Sequence, residues 1–158
     1  MKMILEGLLI IIIVIVSFYI SLYFAKTLLA PGYQVGKLGQ VCLGERCFTV
    51  EIAKTQAQQD KGLMGVRELD KSKGMLFVFD KEGIYPFWMK NTLIPLDMVW
   101  IDSNNKVVFI SENVQPCKTL LCPSVFPTAK AKYVLEVNSG ICKEIGLRIG
   151  DELKIVGD

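Results

Sequence analysis

The sequence predicts an α+β, β-rich domain: a small, mostly antiparallel, partly closed barrel with two short helices, preceded by one transmembrane helix. Three observations predict it. Short apolar and β-branched runs recur between turn signals. Only two stretches carry helix signals, both short. An uncharged run, Leu8 to Ala25, precedes them all.

That first run reads as a membrane anchor. Its 18 residues, at about 1.5 Å each, cover most of a bilayer core of roughly 30 Å. Glu6 and Lys26 bracket it, and Tyr19 and Tyr23 sit toward one end, where amphipathic rings favour the interface. A cleaved signal peptide is the rival reading. Against it, the run exceeds the roughly 7–15 apolar residues usual for one, and no small-x-small cleavage site is evident. Residues 1–7 are then a short flank. Residues 26–39, with Pro31, Gly32, Gly36 and Gly39, form a stalk, and the domain occupies 40–158.

Within the domain, Val41–Ile52 reads as a hairpin around Gly44-Glu45. Thr55 opens a helix with Gln58 as its capping-box partner, and the helix stops before Gly62. Met75–Phe79 is an apolar strand, and Tyr85–Met89 another, broken by Pro86. Met98–Ile101 and Lys106–Ile110 flank the turn Asp102-Ser103-Asn104-Asn105 as a second hairpin. Residues 113–128, with Pro116, Pro123 and Pro127, read as loop. Tyr133–Val137 is a strand, 140–146 a short helix, and Glu152–Val156 a last strand. Partial closure into a barrel would hide the strand edges.

Four of the five cysteines form two pairs of equal spacing, Cys42/Cys47 and Cys117/Cys122. The first pair flanks a hairpin tip and the second a proline-bounded loop. Two local disulfides imply an oxidising compartment, hence a single-pass protein of the cytoplasmic membrane with its C-terminal domain outside. Unpaired thiols and a four-cysteine zinc site are the alternatives, and the zinc site needs the two pairs to meet in space. Cys142 is left over and reads as a small buried residue. The formal net charge is +2, with the basic residues scattered rather than striped, so nothing favours nucleic acid.

The chain has no histidine. This removes Ser-His-Asp and Cys-His nucleophiles, H-E-x-x-H zinc sites and a histidine general base. There is no phosphate loop and no dinucleotide fingerprint, and no cofactor is implied. The most informative segment is Phe87–Asp97, where aromatic and apolar residues run into Lys90, Asn91, Thr92 and Asp97. Polar groups at the edge of an apolar cavity are how binding sites are usually built. Asp97 either caps its turn or faces a cavity mouth beside Lys90 or Asn91. Strand alternation places Glu136 opposite Leu135 and Val137, either toward water or toward a cation such as Arg67 or Lys90. Trp88 reads as a core anchor or a pocket wall.

The ordered motifs Gly62-Leu63-Met64, Arg67, Leu69, Gly74–Phe79, Phe87–Thr92, Pro95-Leu96-Asp97, Val134–Val137, Gly140, Gly146 and Gly150-Asp151 resemble an uncharacterised family, domain of unknown function 192. The resemblance spans about residues 47–157. It implies a compact β-rich domain, often exported or membrane-anchored, and no established activity. It carries positions 88–92 and 95–97 as a shared site, with Arg67 and Glu136 as polar partners. The Cys117–Cys122 loop and Cys142 depart from the family pattern.

The leading reading is a binding or accessory module of the cell envelope, in which Trp88, Lys90, Asn91, Thr92 and Asp97, with Arg67 and Glu136, recognise a small ligand, peptide or glycan. The alternatives are a hydrolase or lyase using Asp97 and Glu136 as an acid/base pair, and a purely structural envelope-assembly domain.

Overall fold

The computed structural model describes residues 12–20 and 36–157. Residues 12–20 are helical (α1), with Ser17 Oγ donating to the Ile13 carbonyl at 2.8 Å. The remainder of the expected span 8–25, the flank 1–7 and most of the stalk lie outside the described residues. Among the described residues no helix is long and apolar enough to cross a membrane.

Among the described residues the domain has nine strands and two further short helices. In chain order these are β1 (Leu38–Leu43), β2 (Arg46–Ala53), α2 (Gln56–Lys61), β3 (Lys73–Gly83), β4 (Phe87–Trp88), β5 (Leu96–Ile101), β6 (Val107–Val114), β7 (Ser124–Val125), β8 (Ala131–Asn138), α3 (Ile141–Ile145) and β9 (Lys154–Val156). Seven strands form one sheet in the order β6-β5-β8-β3-β2-β1-β9, and β4 and β7 form a separate ribbon. Every pairing is antiparallel except β2–β3. A parallel pair needs a crossover, and α2 supplies it.

The expected barrel does not close. The edge strands β6 and β9 are joined through an isolated bridge, Lys106 to Glu152, and a few backbone hydrogen bonds around it, rather than through a ladder. With only three residues, β9 is too short to extend along β6.

Local chemistry fixes the ends of α2. Thr55 Oγ1 accepts from the Gln58 backbone N–H, and Gln58 Oε1 accepts from the Thr55 N–H, completing the capping box. Gly62 ends the helix at φ 43°, a conformation that penalises a Cβ. In the β1–β2 turn, Gly44 sits at φ 55°. Directly beside it Cys42 faces Cys47 and the two are bridged.

Side-chain alternation divides the sheet into two apolar faces. Val50, Ile52, Leu76, Val99, Ile101, Leu135 and Val137 pack on one face with Ile141, Cys142 and Leu147 of the α3 region. Met75, Phe77, Leu96, Met98, Trp100 and Val134 pack on the other with Leu63 and Met89. The segment expected as loop, 113–128, contributes β7, which pairs with β4 on this second face. Cys117–Cys122 is bridged as well. Two separate disulfides replace the four-cysteine zinc alternative.

Candidate functional site: a buried carboxyl at the end of an aromatic groove

Glu136 lies in the centre of β8, paired with Met75 of β3 and Met98 of β5. Its side chain projects to the second face, as alternation predicts, and is 4% exposed. Among the described residues it has no hydrogen bond and no ion pair. Burial alone pushes its carboxyl up from 4.5 to about 8, because the charged form loses water and gains no partner. The strand imposes this: its cross-strand neighbours Met75 and Met98 are apolar and offer the carboxyl no partner.

The carboxyl closes a hollow of about 40 Å³ lined by residues of α2 and its exit turn (Gln59 to Met64), by Phe77, Phe87 and Trp88, and by Thr92. Thr92 is 5% exposed, and its hydroxyl has no partner among the described residues. The hollow shares Gln59, Asp60, Phe77, Phe87 and Trp88 with a wider groove of about 310 Å³, which adds Gln56, Phe79, Tyr85 and Pro86. The groove wall is a ring cluster. Phe79 stacks on Tyr85 at 3.6 Å, and Phe87 meets Phe77 edge-on at 4.8 Å and Trp100 at 5.7 Å. Trp100 Nε1 donates to the Tyr85 carbonyl at 2.8 Å, which ties the groove wall to the core.

The motif read from the sequence divides between two tasks. Trp88 and Thr92 line the hollow. The Trp88 ring, 47% exposed, carries Lys90 Nζ over it at 5.1 Å. Asn91 is exposed and turns the chain at φ 56°. Its carbonyl accepts from Gly65 N–H and its N–H donates to the Cys117 carbonyl. Arg67 is exposed and makes no ion pair with Glu136 among the described residues.

Asp97 is elsewhere. In β5 it pairs with Val137, so its side chain projects to the α3 face, opposite to Glu136. It is 0% exposed. One carboxylate oxygen accepts from Asn113 N–H at 2.8 Å, and the other accepts from Cys142 N–H at 2.9 Å in the first turn of α3. Asp97 therefore holds the β6 bulge and the start of α3, and it does not reach a cavity mouth beside Lys90. The expected Asp97–Glu136 acid/base pair does not assemble, because the sheet separates the two carboxyls. The nearby Cys142 thiol is pushed far up, first by burial and then by the Asp97 charge, so it stays protonated.

The sequence reading missed Gln59, Asp60 and Lys61, since a short, mostly polar helix looks like solvent-facing surface. It also read Phe77, Phe79 and Tyr85 only as strand residues. The signal was present: Phe77 and Phe79 share one face of β3, and Phe87 follows eight residues on.

The model of the DUF192 family, described as an "Uncharacterized ACR", matches residues 40–155. The chain belongs to the DUF192 family. Two crystal structures are similar to it. One, from Sinorhizobium meliloti 1021, is provisionally described as a transcription regulator. It is 34% identical over 78% of this chain and 95% of its own, with a TM-score of 0.67. The other, a protein of unknown function from Novosphingobium aromaticivorans DSM 12444, is 30% identical over 80% of this chain and 89% of its own, with a TM-score of 0.68. No curated protein matches the chain.

Proposed function

We propose that this DUF192 domain is a ligand-binding module whose binding surface is the aromatic groove beside α2 and the hollow closed by Glu136. The observation that carries this reading is Glu136 itself. An unpaired carboxyl buried in a core strand costs stability, so a fold that keeps one has a use for it outside its own packing. The groove supplies the second ingredient, concave apolar area with a few convergent polar groups. Trp88, Thr92 and Glu136 are the recognising residues, and Lys90 braces the Trp88 ring. Asn91 and Asp97 serve by holding the surrounding backbone.

The long apolar run at 8–25 and the two disulfides support a tethered module in an oxidising compartment, presenting the groove to an envelope ligand. The binding reading is tested with a neutral apolar fluorophore, N-phenyl-1-naphthylamine, titrated into the full chain. We expect saturable binding that Phe79→Ala and Trp88→Ala each weaken about tenfold, while folding is retained. Unchanged binding in both variants overturns the groove assignment.

A further inference from the structure

The hollow and the groove differ in what they can accept. The groove is long and walled by rings. The hollow is about 40 Å³, and a water molecule needs about 10–15 Å³ of such space, so it admits a headgroup of about three or four heavy atoms. That is room for an ammonium and its first methylenes.

The chemistry around this space favours a cation. Glu136 and Thr92 offer oxygen lone pairs that no donor among the described residues satisfies. Phe77, Phe87 and Trp88 present aromatic surface, and a ring face attracts positive charge. Two other charged residues line the hollow, both from α2. Asp60 accepts from Gln56 Nε2 at 2.7 Å and adds negative charge at the rim. Lys61 donates to the Met64 carbonyl at 2.8 Å, which holds its ammonium on the exit turn. The strand neighbours of Glu136, Met75 and Met98, bring no charge.

We propose that the hollow receives a primary ammonium group, salt-bridged to Glu136 and hydrogen-bonded to Thr92, and that the aromatic groove carries the unbranched methylene chain attached to it. This rests on the groove being a binding surface. A lysine side chain on an extended peptide and a free aliphatic amine share that chemistry. Binding exchanges one proton for one cation: the ammonium enters as Glu136 gives up its proton to solvent. Affinity therefore strengthens from pH 6 to 8 and holds until the amine itself deprotonates near pH 10.

The test is calorimetric titration of the full chain and of its Glu136→Gln and Phe79→Ala variants, all checked for folding by thermal melts. The probes are n-pentylamine, N-acetyl-lysine methylamide and the neutral n-pentanol. Either amine binding wild type at least tenfold tighter than pentanol, with that advantage lost in Glu136→Gln and a proton released on binding, supports the proposal. Tighter binding of the lysine derivative points to a peptide source, and tighter pentylamine to a free amine. Equal binding of amine and alcohol, insensitive to Glu136→Gln but weakened by Phe79→Ala, overturns the ammonium pocket and leaves the groove standing. No binding of any probe overturns both.

Discussion

Glu136→Gln removes an ionisable group while nearly keeping its shape, and the structure predicts that it stabilises the domain at alkaline pH. In the unfolded chain the carboxyl titrates near its ordinary 4.5, and in the folded chain near 8. The folded state therefore holds the proton more tightly. Its stabilising contribution is complete below about pH 4.5 and is lost as pH rises through 8. At about 1.4 kcal/mol per pH unit, the full loss is about 5 kcal/mol. Water entering the open hollow screens part of it, so a gain of about 2–5 kcal/mol for the glutamine variant at pH 9 is the working expectation. The assay is urea unfolding of both full chains at pH 5 and pH 9. Near-equal stability at pH 5 and a clear gain for the variant at pH 9 agree with a desolvated carboxyl. Curves that run parallel across the pH range refute the reasoning, because they mean that Glu136 titrates normally or is paired in solution.

Three further outcomes follow from particular contacts. Asp97→Asn turns an amide NH2 toward one of two backbone N–H donors, that of the buried Cys142 or of Asn113, and should lower unfolding free energy by about 1–3 kcal/mol in urea melts, with N-phenyl-1-naphthylamine affinity unchanged. Replacing Cys117 and Cys122 together with serine opens a short loop whose closure is worth about 2 kcal/mol, and it should speed amide exchange at Asn91, whose N–H donates to the Cys117 carbonyl. At Gly74 an added Cβ would lie 2.5 Å from the Glu136 backbone oxygen, so Gly74→Ala should cost about 1–3 kcal/mol in thermal or urea unfolding by forcing β3 and β8 apart.

Local signals carried most of the fold. The Thr55/Gln58 capping box, the Gly44 turn and the Asp102–Asn105 hairpin are each set by residues a few positions apart, and each formed where the sequence places it. What failed was long-range. Whether β9 runs beside β6 for one bridge or for a full ladder depends on how a seven-stranded sheet twists, which no window of sequence encodes. β7 escaped notice because two residues between prolines carry no strand periodicity, and its pairing with β4 is tertiary.

The site was legible in one respect and opaque in another. Alternation along β8 gave the side on which Glu136 projects. Asp97 looked like its natural companion because both are acidic strand residues in shared motifs. The β5–β8 register decides otherwise: Asp97 stands opposite Val137, one step from Met98 and Glu136, and one step in a strand is the other face of the sheet. The Phe87–Asp97 segment is thus half wall and half brace.

The central claim is that the aromatic groove and the Glu136 hollow form the binding surface. Amide chemical-shift mapping of the full, isotope-labelled chain with n-pentylamine tests it most directly. The account predicts shifts concentrated at residues 59–63, 77–79, 85, 87, 88, 92 and 136. Shifts gathered instead on the α3 face around Asp97 and Cys142, or no saturable shifts, would contradict it.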